Sequence, residues 1–276
     1  MTAILSISIL TLLILFLLWA LMLRPRRHHP GWEKLAHVRY AHRGLHDQSL
    51  QIPENSLAAF RRAADCGFGA ELDVHLMADG NLAVVHDSNL TRVCGRNVMI
   101  EDLRKEDLKD LPLQGTGERI PLLPEVLDLF EGKTPLIIEL KAERGNAAPL
   151  TRAVMTALNG WKGTYCMESF HPAVLLCLKK HYPHVLRGQL SQNFLRDSQV
   201  GGLSLPQRLI MTFLLTTFLT RPDFIAYNYL DRSRPSLRFM RLLYGVHEAG
   251  WTVRDPDTMK MLEQENVLPI FEGFLP

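Results

Sequence analysis

The chain has 276 residues, of which 47% are hydrophobic, and a formal net charge of +2. This length suits one medium-sized domain or two small ones. Arg24, Arg26 and Arg27 lie directly after the first apolar run, and beyond residue 27 acidic and basic residues nearly balance. A near-neutral domain offers no broad basic surface, so the composition argues against a nucleic-acid-binding protein.

The first segment predicts a transmembrane anchor at residues 1–23. Ala3–Leu23 contains no charged residue, and about 20 apolar residues in a helix cross the roughly 30 Å hydrocarbon core of a bilayer. A cleaved signal peptide is the alternative. That would require a basic start and a small-residue cleavage site, and the run has neither.

The residues after the anchor predict its orientation. Basic residues that flank a span tend to stay in the cytoplasm, so we expect Arg24, Arg26 and Arg27 to hold the following domain on that side. Residues 24–37 are rich in proline and basic side chains at their start and predict a linker. The four cysteines show no CxxC spacing, which suits a reducing compartment.

From residue 38 to residue 276, short apolar runs alternate with helical patterns. Eight strands alternating with helices are typical of a parallel α/β sheet, and the number eight favours a closed (β/α)8 TIM barrel. The predicted strands are Val38–Ala41, Ala70–His75, Leu136–Leu140, Thr164–Ser169, Val185–Leu190, Phe224–Tyr227, Gly250–Val253 and Val267–Phe271. The predicted helices include Ser56–Cys66, Pro124–Phe130, Ala148–Leu158, Pro172–His181, Ser236–Ala249 and Pro256–Glu263.

Two segments interrupt this alternation. Asp79-Gly80 is a strong turn signal, so Ala70–His75 and Leu82–His86 are expected to form a hairpin. Residues 191–222 form an insertion that contains the apolar stretch Leu209–Leu219, which is too short to span a bilayer. It predicts either a buried helix or a helix that dips into the membrane beside the mouth of the barrel.

Acidic side chains lie within or at the end of two predicted strands. Glu71 and Asp73 lie two residues apart on one strand and therefore point to the same face. Glu139 and Lys141 share one face at the end of another strand, and the carboxyl ends of barrel strands carry catalytic residues. Buried carboxylates repel one another, and a divalent cation removes that repulsion. Glu71, Asp73 and Glu139 therefore predict a metal site, with Lys141 beside it to contact an anion.

Histidines and an arginine lie at neighbouring strand ends. His42 and His86 have side chains that titrate near neutral pH, so both are candidates for general acid and base catalysis. Arg43 could clamp a phosphate with two parallel hydrogen bonds. These residues predict a metal-assisted enzyme that acts on phosphodiesters.

Together these motifs resemble the glycerophosphodiester phosphodiesterase family. The matching segments are AHRGLHDQSLQIPENSLAAF, GAELDVHLMADGNLAVVHDSNLTRVCG, RIPLLPEVLDLF, PLIIELK and AGWTVRDPDTM, which extend from about Val38 to near the C-terminus. The resemblance implies a TIM barrel that cleaves glycerophosphodiesters to an alcohol and glycerol phosphate, usually with Ca²⁺ or Mg²⁺.

The resemblance also implies a role for each site residue. His42 and His86 would be the acid–base pair, Glu71, Asp73 and Glu139 the metal ligands, and Arg43 and Lys141 the phosphate contacts. Separately, Trp251 would line the glycerol pocket. Glu54 and Asn55 belong to the PEN motif and would lie behind the ligands, or Glu54 would be an additional ligand.

The sequence departs from the family pattern at two places. Arg254 stands after WTV where the family often has Asn, and the last strand reads ENVLPIFEGFLP instead of ending in a Gly-Val-Asp-Gly-like segment. The substrate is also open: the alternatives are a soluble glycerophosphodiester and a lysophospholipid or other membrane lipid. A third alternative is a membrane-tethered binding protein without activity, but the principal site residues are all present.

Overall fold

The computed structural model describes residues 2–26, 29–196 and 202–276. Arg27, one of the three predicted flanking arginines, and residues 197–201 of the predicted insertion lie outside the described residues. The strands are β1 (Tyr40–Ala41), β2 (Gly69–Leu76), β3 (Leu82–Val84), β4 (Leu136–Leu140), β5 (Tyr165–Ser169), β6 (Arg187–Ser191), β7 (Phe224–Asn228), β8 (His247–Val253) and β9 (Val267–Phe271).

The α-helices lie between these strands and before them. They are α1 (Thr2–Met22), α2 (Glu33–Ala36), α3 (Leu57–Asp65), α4 (Thr91–Cys94), α5 (Leu123–Phe130), α6 (Ala147–Ala157), α7 (Pro172–His181), α8 (Leu205–Thr212), α9 (Thr217–Thr220), α10 (Pro235–Tyr244) and α11 (Pro256–Gln264). Short 3-10 turns at Gln48–Leu50, Ile100–Asp102, Lys105–Asp110, Leu113–Gly115 and Tyr229–Asp231 complete the described elements.

The sheet closes into a barrel. All strands except β3 pair in parallel, and β1 pairs with both β2 and β9, so eight strands form a ring. The prediction of a (β/α)8 TIM barrel is confirmed. The last strand, despite its departure from the family pattern, pairs with β8 and β1 and completes the ring.

The predicted hairpin is also present. β3 pairs antiparallel with β2, with Val74 opposite Val84. The chain from Met77 to Leu122 then forms a small apolar cluster of its own around Val85, Leu90 and Ile100. This excursion covers one side of the barrel mouth.

The interior of the barrel is apolar at the end where the strands begin. Tyr40, Ile137, Phe224 and Ile270 are buried there in one cluster. A Cβ atom at Gly188 would lie 2.2 Å from the Phe224 ring, so only glycine leaves room for that ring. The polar site is therefore confined to the opposite end, where the strands finish.

The segment predicted as a linker, residues 24–37, contains the short helix α2. Trp32 and Leu35 are almost fully buried and pack against the interior cluster. The Arg26 backbone N–H donates to Pro222 O at 2.9 Å. The segment is held on the barrel because its apolar side chains close the end at which the strands begin.

Several element boundaries differ from the prediction. The helix predicted over Ser236–Ala249 ends at Tyr244, because Gly245 takes a left-handed conformation with φ 57°. β8 therefore begins at His247 and not at Gly250. The strand predicted from Val38 begins at Tyr40.

The apolar stretch Leu209–Leu219 forms two short helices, α8 and α9, and not one helix. The break is at Leu214, which is buried and has φ 57°. Thr212 and Thr217 are also buried, whereas Leu209 and Ile210 are each 39% exposed. The expectation of a buried helix is correct only for one face of this stretch.

One described helix, Ile4–Met22, is long and apolar enough to cross a membrane, and only 6% of it is buried in the protein. The exposed apolar side chains of this helix agree with the composition that predicted an anchor. A signal sequence would meet the same criteria of length and composition.

Candidate active site

Three carboxylates converge at the end of the barrel where the strands finish. Asp73 lies opposite Glu139 across the pairing of β2 and β4, and Glu71 lies two residues before Asp73 on the same face of β2. One oxygen from each of Glu71, Asp73 and Glu139 lies within 4.8 Å of the others, and all three side chains are buried. The structure brings together the three residues that the sequence predicted as metal ligands.

Burial and mutual repulsion set the ionisation of this cluster. Burial, reinforced by Asp73 and Glu139, holds the pKa of Glu71 well above its usual range. Burial also raises the pKa of Glu139. The charge of nearby Lys141, acting against burial, holds the pKa of Asp73 below its usual value. Three carboxylates this close repel one another when all are ionised. A hard divalent cation would offset that repulsion.

Lys141 bridges two members of the cluster. Its Nζ lies 3.0 Å from Asp73 Oδ1 and 2.9 Å from Glu139 Oε1. These carboxylates raise the pKa of Lys141 in spite of its burial. A buried ammonium whose charge two carboxylates favour can attract an anion at this place.

Arg43 connects the cluster to the PEN motif. Its backbone N–H donates to Glu71 Oε2 at 3.1 Å, and its Nη1 donates to Glu54 Oε1 at 2.8 Å. Asn55 Nδ2 donates to Asp73 Oδ2 at 2.9 Å. Glu54 therefore faces arginines, and the structure brings Asn55, not Glu54, into contact with a candidate ligand.

The turn after β1 depends on glycine. Arg43 has φ 55° and Gly44 has φ 77°. A Cβ atom at Gly44 would lie 2.9 Å from the backbone carbonyl carbon of Ala59 in α3. The HRG motif thus places His42 and Arg43 at the site because its glycine permits a tight turn against a helix.

His42 lies at the end of β1, with carboxylates near both ring nitrogens. Its Nδ1 lies 2.6 Å from Glu272 Oε2, and its Nε2 lies 3.9 Å from Glu71 Oε2. Burial lowers the pKa of His42, and the hydrogen bond with Glu272 opposes that effect. The His42 hydrogen bond lowers the pKa of Glu272 to about 2 in spite of burial.

His86 has a similar partner in the next residue. Its Nδ1 lies 2.6 Å from Asp87 Oδ1, and its side chain is about one third exposed at 34%. Arg92 donates to Asp87 and also reaches Glu54 with two further nitrogens at 2.8 and 2.9 Å. Each histidine is thus oriented by a carboxylate at Nδ1, an arrangement that suits proton exchange at Nε2.

A cavity of about 440 Å³ opens above the carboxylates. Its walls include both histidines, Arg43, Lys141 and Trp251. The Trp251 and Phe170 rings pack edge to face, with their centroids 5.7 Å apart. Among the described residues, the buried indole nitrogen of Trp251 has no hydrogen-bond partner. The structure thus places all the predicted site residues in or directly behind one cavity.

Sequence reasoning missed three charged groups that line this cavity: Arg92, Glu168 and Glu272. Glu168 lies opposite Glu139 across β4 and β5, and its Oε2 has no hydrogen-bond partner in the described part of the chain. Burial, together with Glu139 and Asp73, holds the pKa of Glu168 well above its usual range. Its inward position on a predicted strand was the signal that could have identified it.

Arg254, the residue that departs from the family pattern, lies at the rim. Its side chain is 64% exposed, and its Nη2 lies 3.4 Å from Glu272 Oε1. It lines the edge of the cavity and contacts the carboxylate that orients His42.

The comparisons with known proteins agree with this geometry. A glycerophosphodiester phosphodiesterase of Caldanaerobacter subterraneus subsp. tengcongensis is 35% identical over 162 residues, covering 55% of this chain and 65% of that protein. The lysophospholipase D GDPD1 of Rattus norvegicus is 40% identical over 114 residues, covering 37% of this chain and 35% of that protein. The chain thus spans less than two thirds of either relative.

A solved structure shares the fold over most of its length. An Oleispira antarctica phosphodiesterase in complex with the product sn-glycerol-3-phosphate superposes with a TM-score of 0.70 and 22% identity, covering 88% of this chain and 94% of that one. The profile of the Glycerophosphoryl diester phosphodiesterase family matches residues 42–274. The chain belongs to this family.

Proposed function

We propose that the protein hydrolyses glycerophosphodiesters to an alcohol and glycerol 3-phosphate with the help of a divalent cation. The observation that carries this proposal is the convergence of Glu71, Asp73 and Glu139 within 4.8 Å, in a cavity that also contains two histidines. Membership of the phosphodiesterase family supports it.

Glu71, Asp73 and Glu139 would hold the cation, either Ca²⁺ or Mg²⁺. Their oxygens and their burial fit a hard cation. When bound, such an ion polarises a phosphoryl oxygen and balances the negative charge of the diester. Arg43 and Lys141 would add donors for the phosphoryl oxygens, because both are cationic and line the same cavity.

His42 and His86 would move protons. With Nδ1 donating to Glu272, the Nε2 of His42 carries a lone pair and can accept a proton from the attacking hydroxyl. His86, held by Asp87, can return a proton to the leaving alcohol. The assignment of acid and base is interchangeable between the two histidines. The attacking group is either a water molecule or the glycerol 2-hydroxyl. Attack by the 2-hydroxyl would give a cyclic phosphate, whereas attack by water would not.

Trp251 would contact the glycerol. Its side chain lines the cavity, whereas its indole nitrogen is buried and has no hydrogen-bond partner among the described residues. Phe170 fixes the ring from the side. The aromatic face would pack on the carbon atoms of the glycerol.

The N-terminal helix would attach the enzyme to a membrane as a single span, with the barrel on the cytoplasmic side. The length and hydropathy of Ile4–Met22 support the span, and Arg24 and Arg26 after it support the orientation.

The direct test is hydrolysis of glycerophosphocholine by the purified full-length chain in detergent. We expect turnover with Ca²⁺, Mg²⁺ or Mn²⁺ and its loss in EDTA. An active enzyme that is indifferent to EDTA would contradict the proposed cation, and an inactive one in every metal would contradict the proposed reaction.

A second candidate substrate is a lysophospholipid. An apolar groove of about 530 Å³ adjoins the site and shares Glu139, Lys141 and Phe170 with it, while Ile210 and Met211 of α8 form its far wall. Such a groove suits an acyl chain whose glycerol phosphate lies in the polar cavity. Comparing turnover of glycerophosphocholine and lysophosphatidylcholine would decide between the two substrates. The variant Ile210→Asn, which places a polar side chain in the groove, belongs to the same comparison.

A further inference from the structure

Exposed apolar side chains are concentrated on one sector of the barrel. Outside α1, the described large apolar residues that are exposed fall mostly between residues 195 and 243: Leu195, Leu205, Leu209, Ile210, Phe218, Leu219, Leu230, Leu242 and Leu243. The others are Leu50, Leu176, Met261 and Leu275. Residues 203–244 also contain six arginines and only two aspartates. Arg232 is buried and Arg241 pairs with Glu248, but an exposed apolar surface in a segment with more basic than acidic side chains suits the interface of an anionic membrane.

The N-terminal helix packs on this same sector. The Phe16 and Trp19 rings contact the Phe239 ring of α10, with centroids 5.7 and 4.6 Å apart. Tyr244 donates its hydroxyl proton to Ala20 O at 2.7 Å. Leu23, just after the helix, is completely buried in a cluster with Ile225 and other side chains of this sector.

These contacts determine the direction of α1. Phe16 lies beside Phe239, and Ala20 lies beside Tyr244, so α1 and α10 run in the same direction. α10 follows β7, whose last residue, Asn228, lines the site cavity, so α10 begins at the mouth of the barrel. The free N-terminal part of α1 therefore extends toward the mouth end.

The free part of α1 is shorter than a bilayer. From Ile4 to Leu15 the helix measures roughly 18 Å at 1.5 Å per residue, against a hydrocarbon core of roughly 30 Å. The whole candidate span, Ile4–Met22, includes residues that contact the barrel, so a membrane around this span also reaches that contact. The barrel side chains next to α1 at the mouth end then meet lipid as well.

We propose that the mouth end of the barrel rests on the membrane that α1 crosses, with α8 as the element that contacts lipid. This inference rests on the proposed anchor and goes beyond the proposed reaction. Leu205 and Leu209 face the lipid, while Ile210 and Met211 on the same helix line the groove beside the site. In this arrangement the cavity opens at the membrane surface.

The test places a lipid-sensitive fluorophore at single cysteines in the full-length chain. The exposed Cys66 and the partly exposed Cys94 are replaced by serine, which leaves only the buried Cys166 and Cys177. A bimane label is then attached at Leu10→Cys, Leu205→Cys, Leu209→Cys or Lys162→Cys. Lys162 precedes β5 and lies at the opposite end of the barrel from the mouth. The proteins are reconstituted in phosphatidylcholine–phosphatidylglycerol vesicles with or without brominated acyl chains.

We expect brominated lipid to remove most of the emission at positions 10, 205 and 209 and to leave that at position 162 unchanged. Loss at position 10 with full emission at 205 and 209 would overturn the inference and leave the anchor intact. Equal loss at 162 and 209 would also overturn it. No loss at position 10 would refute the anchor itself. Turnover of glycerophosphocholine in detergent confirms that each labelled chain is folded.

Discussion

His42 Nδ1 and Glu272 Oε2 lie 2.6 Å apart, although 230 residues separate them in sequence. The pairing of β1 with β9, which closes the ring, places the end of the first strand beside the residue after the last one, and this contact then orients a candidate proton carrier. Glu272 contacts His42 and Arg254, and we propose that it acts through the histidine as a positioning residue.

Replacing Glu272 by glutamine should lower kcat by about 10–100-fold, the usual effect of losing the carboxylate partner of a functional histidine. KM for glycerophosphocholine should change little, since Glu272 does not belong to the predicted phosphate contacts. The pH profile of kcat should move toward lower pH, because the carboxylate raises the pKa of His42 against burial. Arg254→Gln is the control; an equal loss there would assign the effect to the rim and not to His42.

Removal of either histidine should be more severe. His42→Ala and His86→Ala are each expected to lower kcat by about 10²–10⁴-fold, the usual contribution of a general acid or base. His37, whose side chain is 84% exposed, provides the matched control as His37→Ala. Full activity of His42→Ala would exclude the proposed proton transfer.

The cation should depend on each of the three carboxylates. Glu139→Gln is expected to weaken binding of Ca²⁺ or Mg²⁺ by more than the roughly 10–100-fold that outer-shell groups alone contribute, as measured by calorimetry on the detergent-solubilised chain. Glu143, exposed in the turn after β4, gives the control Glu143→Gln. Unchanged affinity in Glu139→Gln would remove Glu139 from the ligand set.

The raised pKa of Glu168 predicts that the stability of the metal-free chain depends on pH. Its pKa is raised well above the usual range, so the folded state holds the proton more tightly than the unfolded state, in which a glutamate titrates near about 4.3. Its contribution to stability is greatest below that pH and is lost as pH rises through the folded pKa. Glu168→Gln, which has no charge, should therefore raise Tm in EDTA at pH 7.

The difference between Glu168→Gln and the native chain should shrink below about pH 4 and vanish near about pH 3, where the native carboxyl is protonated in both states. Thermal unfolding in EDTA across this range measures it. A lower Tm for Glu168→Gln at pH 7 would indicate that the ionised carboxylate makes a stabilising contact.

Gly44→Ala should destabilise the fold and misplace the HRG turn. The φ of 77° disfavours any side chain, and the added Cβ would approach the Ala59 backbone carbon to 2.9 Å. We expect a loss above about 1 kcal/mol together with reduced activity. Gly117 has open space around a Cβ and no positive φ, so Gly117→Ala should leave both unchanged. Equal effects of the two variants would refute the packing argument.

Much of this site could be predicted because strand geometry is periodic. Glu71 and Asp73 share a face by alternation, and parallel strands bring their carboxyl ends together, which placed Glu139 beside them. The barrel followed from the count of strands alternating with helices. These inferences depend on local patterns that the fold preserves.

The rest depended on contacts that no local pattern encodes. Glu272 meets His42 only because the ring closes, and Arg92 reaches Glu54 from a short helix in the excursion after β3. The break between α8 and α9 falls at Leu214, without glycine or proline, because burial holds that leucine in a left-handed conformation. In contrast, Gly245 was a visible stop signal for α10.

The packing of Trp32 and Leu35 against the start of the barrel determines where the chain can be truncated. A shortened chain that begins at residue 29 keeps both side chains beneath the barrel, whereas one that begins at residue 38 exposes the apolar surface around Tyr40 and Phe224 to water. The boundary of the barrel domain therefore lies before α2, inside the stretch that its composition predicted to be a linker. The first helix and the barrel are joined by fewer free residues than the composition suggests.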